Sequence, residues 1–561
     1  VTKPVAEWLG LKAGPMAPND LIRALLRAPV DLLWNGGIGT YVKGASETDL
    51  EVGDRNNDSL RVNGSELRCR VVGEGGNLGL TQHGRVEFAL AGGRINTDFV
   101  DNAGGVDCSD HEVNIKILLG DVEQAGKMTR KERNKLLEKM TDDVAQQCLR
   151  DNYLQGQAIT VTHALGGHLL DRFARFMRAL EKEGQLNRRI EYLPDDEEVL
   201  ERLKRGEGLT RAEIAVLLSY AKLVLYDQLL GSNLPDDTYF AGDLATYFPK
   251  PLREPYADQI ARHRLKREIV VTVVSNDLIN RVGINFVHEV REKTGLPPQE
   301  VVKAYVIVRE TFGMRDTWAQ IEALDNKVPA ELQSRMLVEC GRLIERETVW
   351  LLREIGMPLD IAGEVGRFGA GITALTAQID SLLSPGERHL LDQRAAELAA
   401  EGAPPALARR IASLPLLAPV CDIVRIAATL KLPVEKVAEA YFNIGERFGF
   451  NWLRRSAGSL PTDTAWDKLA VSAIIDDFYG HQSELTTRVL NGGDRSGKGS
   501  GKGAGKAAAA GSDKVIDSWS AGREPLVART GQLLDELKAS GTPDFAMLAV
   551  ANRQLKSMVQ G

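Results

Sequence analysis

Apolar and polar residues follow two different patterns along the chain, and the change between them falls near residue 120. In the first part, short runs of apolar or β-branched residues alternate with turns rich in glycine and asparagine. Such runs are typical of buried strands in an α/β sheet. A helix precedes them, and we expect Asn19 or Asp20 as its N-cap and Pro29 beyond its end. The order helix, strand, loop, strand, loop, strand predicts half of a doubly wound α/β domain in residues 1–120.

The second pattern begins near residue 112 and has the spacing of amphipathic helices. Apolar residues recur at i, i+3, i+4 and i+7, and glycine or proline ends each stretch. We therefore predict a large, mainly α-helical C-terminal domain over residues 121–490. Residues 491–514 are rich in glycine and lysine, which predicts a flexible loop, and residues 515–561 are interpreted as a terminal pair of helices.

The composition narrows the class of protein. A chain of 561 residues exceeds the roughly 250–300 residues of a single hydrophobic core, so two or more domains are expected. The net charge of −7 gives no reason to expect nucleic acid or an acidic membrane surface as a partner. The five cysteines are odd in number and never spaced CxxC, which argues against disulfides and zinc and favours a reducing compartment. We expect a cytoplasmic protein without a membrane-spanning segment.

Two stretches come close to known ligand-binding loops but lack residues that those loops need. The segment from Asp54 begins like a calcium loop, yet Ser59 and Ser65 stand where glycine and a bidentate glutamate are required. The segment GGDRSGKG from Gly492 ends in Gly499, where a phosphate loop needs a serine or threonine for magnesium. We predict neither a phosphate site nor a metal site from these residues.

The segment GEGGNLG, residues 73–79, is a weak candidate for a cofactor loop. It falls one position short of the dinucleotide-binding glycine pattern, but it follows the apparent strand RCRVV. Glycines after a strand let a backbone approach a ligand closely, and Asn77 could offer its side-chain amide there.

A stronger candidate is INTDFVDNAGGVDCSDHEVNIKILLG, residues 95–120. We predict a strand that runs into Asn102–Val106 and a helix that starts near Ser109 or Asp110. Ligands of open α/β sheets bind at the carboxyl ends of strands, where Asn102 would offer an amide and Ser109 a hydroxyl. The residues alone leave a second interpretation open, in which the glycine pair is a tight turn and Ser109 or Asp110 an ordinary N-cap.

The motif NAGGV, followed by two residues and a serine, closely resembles the glutamate dehydrogenase family. PVDLLWNGGIGTYV (residues 29–42) resembles that family's strand-to-loop segment beside the nicotinamide ribose, and VVGEGGN (residues 71–77) resembles its VxEGAN segment. These segments, together with the long helical extension that follows them, are similar to the large bacterial NAD-specific glutamate dehydrogenases. The resemblance implies a Rossmann-like partial domain followed by a helical C-terminal domain, and NAD as cofactor.

Carried over position by position, the resemblance also implies roles for individual residues. The cofactor contacts fall on Asn35, Gly36, Gly37, Gly75, Gly76, Asn77 and Asn102. Val106 lines the pocket for the glutamate side chain, and Ser109 hydrogen-bonds the γ-carboxylate of the substrate. The sequence departs from the family where EGGN replaces EGAN and where NGGIGT replaces a loop that contains Gln-Asn. The resemblance therefore supports the roles of residues 35–37 less closely than those of Asn102 and Ser109.

Other family motifs do not occur at the expected positions. The family opens its nucleotide-binding domain with GxGxxG and an acidic residue for the ribose, and neither occurs upstream of residue 30 in this sequence. The family's catalytic lysine and acid/base aspartate belong to a still earlier domain. We therefore expect the chain to be the C-terminal part of a larger, homo-oligomeric enzyme that converts L-glutamate to 2-oxoglutarate and ammonia, and to be inactive alone. Two alternatives stay open: a dehydrogenase for another amino acid, against which Ser109 weighs, and a non-catalytic helical scaffold or oligomerisation module.

Overall fold

The structure is a computed structural model that describes residues 1–462, 465–491 and 511–560. Most of the predicted loop over 491–514, and the near-match to a phosphate loop within it, lie outside the described residues. The chain divides into two compact units: Val1–Tyr305 with Leu352–Met357, called unit 1, and Val306–Leu351 with Pro358–Gly561, called unit 2.

The strands of unit 1 are short, parallel and confined to its first part. They are β1 (Leu32–Asn35), β2 (Val42–Lys43), β3 (Val62–Asn63) and β4 (Val71–Glu74). β1 pairs with β4 so that Asn35 lies opposite Glu74, and β2 pairs with β3. Single bridges join Val42 to Leu80 and Val71 to Arg94. Buried Val42, Val62, Val72 and Phe88 belong to the core beneath these strands.

Short helices connect and flank the strands. They are α1 (Lys3–Leu9), α2 (Pro18–Leu26), α3 (Asp49–Val52), α4 (Gln82–Leu90) and α5 (Asp98–Asp101), followed by the long α6 (Ala103–Gln124). The prediction that Asn19 or Asp20 caps α2 is wrong, because Ala17 is the N-cap and Pro18 occupies the first helical position. The fixed φ of proline suits that position and starts the helix early.

The start of α6 corrects a second prediction. No strand runs into Asn102–Val106; Asn102 instead joins α5 to α6, and α6 starts at Ala103 rather than near Ser109 or Asp110. Each glycine of the NAGGV motif costs a helix about 1 kcal/mol relative to alanine. Burial of Leu118, Leu119 and other apolar residues further along α6 outweighs this cost.

The remainder of unit 1 is helical. Its helices are α7 (Arg130–Lys139), α8 (Thr141–Ala164), α9 (Leu170–Lys182), α10 (Asp196–Arg205), α11 (Arg211–Leu230), α12 (Ala241–Tyr247), α13 (Lys250–Arg253), α14 (Ala257–Ala261), α15 (Lys266–Val282) and α16 (Phe286–Thr294). α11 begins with a capping box between Thr210 and Glu213 and buries nearly every side chain of its first two turns. A helix that is apolar on all sides belongs inside a domain.

Unit 2 is built from helices within the described residues, which confirms the predicted helical C-terminal domain. Two helices, α17 (Pro298–Thr311) and α19 (Ala330–Glu354), have residues in both units. The other helices of unit 2 are α18 (Met314–Glu322), α20 (Ile361–Leu382), α21 (Pro385–Ala400), α22 (Pro405–Ser413), α23 (Val420–Leu430), α24 (Val434–Arg447), α25 (Phe450–Gly458), α26 (Ala465–Leu490), α27 (Ser512–Ala521), α28 (Glu524–Ala539) and α29 (Phe545–Gln560). Three helices therefore follow residue 511 where the sequence predicted a pair. They pack on a core that includes Phe450, Phe478 and Trp519.

In the described part of the chain, no single helix is both long enough and apolar enough to cross a membrane. The bent pair Pro405–Leu417 and Val420–Leu430, which meets at 60°, passes the same test of length and composition only when its two helices are taken together.

Candidate functional site

Two glycine-containing loops meet at the carboxyl ends of β1 and β4. Because the strands are parallel neighbours, the residues that follow Asn35 and Glu74 leave the same edge of the sheet. The Gly75 and Gly76 amides both donate to the carbonyl oxygen of Asn35, at 2.8 and 3.0 Å. The structure thus brings together two groups of residues, 35–37 and 75–77, that the sequence assigns to the cofactor.

The loops approach each other so closely that side chains are excluded. A Cβ atom on Gly76 would lie 2.4 Å from the carbonyl oxygen of Gly37, and one on Gly75 would lie 2.5 Å from the Trp34 ring. Gly37 itself has open space where its Cβ would stand. Glycine at positions 75 and 76 is therefore a packing requirement, while the backbone at Gly36 and Gly37 stays exposed and accessible to a ligand.

Asn77 and Asn102 differ in their surroundings from Asn35, the third asparagine of the candidate site. Asn102 donates through its side-chain amide to the side chain of Asn77 at 2.5 Å, which brings the β4 loop and the start of α6 together. The Asn35 amide instead lies beneath the loop, against the position where Gly79 lacks a Cβ. Its buried Nδ2 has no hydrogen-bond partner among the described residues. An unpaired donor buried beneath the loop lowers the stability of this part of the fold.

A buried ion-pair network that the sequence analysis missed supports the β4 loop from below. Glu74 is fully buried, and Arg85 of α4 donates to both of its carboxylate oxygens at 2.7 and 3.0 Å. The Arg85 guanidinium also pairs with Asp98 at 3.3 Å, and Asp98 accepts the backbone amide of Leu78 at 2.7 Å. Burial raises the pKa of Glu74, while Arg85 acts in the opposite direction. Leu78 has a left-handed backbone, with φ of 59°, so the network holds a strained turn in place.

Val106 and Ser109 lie on an exposed face of α6. Val106 is 71% exposed, and the Ser109 hydroxyl donates to the carbonyl oxygen of Val106 at 2.7 Å. A hydroxyl carries a single donor hydrogen, so Ser109 can donate to a substrate carboxylate only after it rotates away from Val106. The structure leaves both side chains open to a partner.

Comparison with known proteins gives the class of this chain. A family model described as "Bacterial NAD-glutamate dehydrogenase, catalytic domain" matches residues 1–162, and one described as "Glutamate dehydrogenase, C-terminal" matches residues 206–557. The chain belongs to the glutamate dehydrogenase family, which confirms the resemblance drawn from the NAGGV motif.

The curated relatives are NAD-specific glutamate dehydrogenases. The proteins of Pseudomonas aeruginosa and Halomonas elongata are 45% and 41% identical to this chain over 563 residues, and that of Mycobacterium tuberculosis is 41% identical over 548 residues. These matches cover 98–100% of this chain but only 33–34% of each relative. The chain therefore spans about a third of the length of the curated relatives it matches.

Proposed function

We propose that this chain is part of an enzyme that oxidises L-glutamate to 2-oxoglutarate and ammonia with NAD, and that it contributes part of the cofactor cleft and of the substrate pocket. The observation that carries the proposal is the meeting of the two glycine loops at the carboxyl ends of β1 and β4. In α/β sheets of this kind, that edge is where nucleotide cofactors bind. The 41–45% identity to NAD-specific glutamate dehydrogenases supports the choice of substrate and cofactor.

The residues at this edge fit a dinucleotide. The exposed backbone at Gly36 and Gly37, with no side chains on the neighbouring Gly75 and Gly76, suits the close approach of a flat, polar ligand. NAD supplies the acceptor for the hydride that leaves the substrate α-carbon. The chain's own part is orientation: the amides of Asn77 and Asn102 hold the nicotinamide end of the ligand against the start of α6.

Substrate selection falls to the exposed face of α6 in this proposal. Ser109 exchanges its internal bond to Val106 for a hydrogen bond to the γ-carboxylate of glutamate, and Val106 packs along the methylene groups of the substrate. A hydroxyl donor recognises a carboxylate without adding a second full charge to the pocket.

The wider organisation of the enzyme completes the proposal. Residues 1–120 are the second half of a Rossmann-like domain, and the catalytic lysine and aspartate come from parts of the enzyme that this chain does not include. Leu32, Trp34 and Val71 lie exposed on one face of β1 and β4, which supports a further layer of protein on that face. The enzyme works in the cytoplasm as a homo-oligomer, and residues 1–561 alone turn over no glutamate.

Replacement of Ser109 by alanine in the complete enzyme tests the substrate assignment. Loss of a hydrogen bond to a charged group costs about 1.5–3 kcal/mol, which lowers kcat/KM for glutamate by roughly 10- to 150-fold. Any activity with leucine, which has no γ-carboxylate, stays unchanged. Ser381→Ala is the matched control, because Ser381 is also exposed on a helix and donates to the carbonyl oxygen three residues earlier, that of Gln378. Equal losses for glutamate and leucine would refute the role of Ser109.

A second measurement tests the cofactor assignment on the chain itself. Calorimetric titration of residues 1–561 with NAD should give weak but measurable binding that Gly76→Ala abolishes. Glutamate-dependent NADH formation by residues 1–561 would refute the proposed division of the catalytic residues. Absence of NAD binding, together with full activity of the complete enzyme carrying Gly76→Ala, would favour the helical scaffold instead.

A further inference from the structure

The buried face of α6 carries a group of side chains that the proposed function does not use. Asp107 and His111 lie one turn apart on α6, and Asp151 of α8 faces them. The His111 Nε2 atom is 3.8 Å from a carboxylate oxygen of Asp107 and 4.0 Å from one of Asp151. One potential ligand atom from each of the three residues lies within 4.8 Å of the other two.

His111 is buried without a hydrogen bond among the described residues. Its side chain is 3% exposed, and its Nδ1 atom has no partner. The two carboxylate contacts of Nε2 are longer than the roughly 3.2 Å limit of a protein hydrogen bond. The Nε2 atom, which faces the two carboxylates, therefore has no hydrogen-bond partner among the described residues and is available to a ligand between them.

Few basic groups lie close to the two carboxylates. In the part of the chain that the structure describes, His111 is the basic side chain within 4.0 Å of Asp107 and of Asp151. The ammonium group of Lys222 on α11 also acts electrostatically on Asp151 from further away, so one imidazole at close range and one more distant ammonium group face the two carboxylates.

Neighbouring side chains fix the orientation of the imidazole. The Tyr247 ring stacks on His111 with ring centres 4.5 Å apart and planes inclined by 26°. The Tyr247 hydroxyl donates to Asp110 at 2.9 Å and accepts the Asn114 amide at 2.8 Å, which prevents the ring from turning. His111 thus points Nε2 at the two carboxylates from a rigid surrounding.

We infer that Asp107, His111 and Asp151 bind a divalent transition-metal ion such as Zn²⁺ between α6 and α8. One imidazole nitrogen and two carboxylate oxygens are ligands that such ions accept. Two ligand atoms at about 2.1 Å from one ion lie about 3.4 Å apart at the tetrahedral angle. The two distances from the His111 Nε2 atom to the carboxylates, 3.8 and 4.0 Å, exceed this separation by only about 0.5 Å, within the freedom of an aspartate side chain.

The ion would serve the position of α6 and not the chemistry of the substrate. Asp107 and His111 project from α6 on the side that packs against α8, whereas Val106 and Ser109 lie on its exposed face. A metal ion that joins α6 to α8 fixes the helix that carries the proposed substrate residues. The site is thus independent of whether the proposed roles of Val106 and Ser109 are correct.

Metal titration of residues 1–561 tests the site directly. Protein stripped with a chelator is titrated calorimetrically with Zn²⁺, and Co²⁺ serves as a coloured probe of the ligand geometry. We expect one ion per chain, binding at least about 100-fold weaker in His111→Gln and Asp151→Asn, and unchanged binding in two controls. Asp142→Asn removes an exposed carboxylate from the same helix α8, and His168→Gln removes an exposed imidazole.

The outcomes separate a metal site from a mere cluster of charges. Loss of the single high-affinity ion in the two ligand variants and its retention in the two controls supports the inference. Failure of the unaltered chain to take up one ion, or equal binding by all five proteins, would overturn it. If His111→Gln does not fold, Asp151→Asn decides, because the Asp151 side chain is 52% exposed and tolerates the change.

Discussion

The close approach of the two glycine loops makes a sharp prediction for Gly76→Ala. The new Cβ would lie 2.4 Å from the carbonyl oxygen of Gly37, against the roughly 3.5 Å at which nonbonded heavy atoms pack. The loops must separate by about 1 Å, which strains the bonds from the Gly75 and Gly76 amides to Asn35. Overpacking of this kind costs about 1–3 kcal/mol.

Hydrogen exchange measures this cost where it arises. A two-unit chain does not guarantee two-state unfolding, so a local probe is preferable to a global melting curve. Local opening at Gly75 and Gly76 should become about 5- to 150-fold more frequent in Gly76→Ala, and exchange of these amides should accelerate by the same factor.

The matched control is Gly37→Ala in the opposing loop. Its Cβ would meet nothing within 4 Å, and its backbone is outside the left-handed region. Exchange at residues 75 and 76 should then stay within a factor of about two of the unaltered protein. Equal effects of the two substitutions, or no effect of Gly76→Ala, would refute the argument that the loops need glycine for close approach.

Two further predictions concern buried charges. Burial raises the pKa of Glu347 to about 8, so the folded state binds its proton more tightly than the unfolded state. The free energy of unfolding of unit 2 should therefore fall by up to about 1.4 kcal/mol per pH unit between about pH 4.5 and 8, and denaturant titrations should find this slope reduced in Glu347→Gln. Arg202→Leu leaves buried Glu213 without its bidentate partner and should destabilise unit 1 by about 3–5 kcal/mol in urea. The half-exposed Glu198 gives the control, since Glu198→Gln should cost less than about 1 kcal/mol.

The glycine loops were predictable because their signal is local. A strand followed by glycine can be recognised in the sequence itself. Once β1 and β4 pair in parallel, Asn35 at the end of β1 and Gly75 directly after β4 necessarily lie close together. The start of α6 was mispredicted for the opposite reason. Glycine at positions 104 and 105 suggests a turn, but the decisive contacts are those of Leu118 and Leu119 with other parts of the chain, which no local pattern reveals.

The buried polar groups lay beyond sequence reasoning for a related cause. The position of Glu74 at the end of an apolar strand could have indicated a buried carboxylate, and a buried carboxylate needs a hydrogen-bond partner. Its partner Arg85 follows eleven residues later, and nothing in the sequence distinguishes it from other arginines. The contact between His111 of α6 and Asp151 of α8 could not be predicted either. Helical periodicity shows which residues share a face of one helix, but it does not show which other helix packs against that face.

The exposed ring of Trp34 gives this protein a built-in fluorescent reporter. The indole lies across Gly73 and Gly75, because neither residue has a side chain to displace it, and 60% of the residue faces solvent. Its emission is therefore expected at long, water-like wavelengths and should shift to the blue when a subunit, a domain or a nucleotide ring covers the sheet face. Comparison with Trp34→Phe subtracts the signal of the other six tryptophans, so that any covering of this sheet face can be followed in real time without an added label.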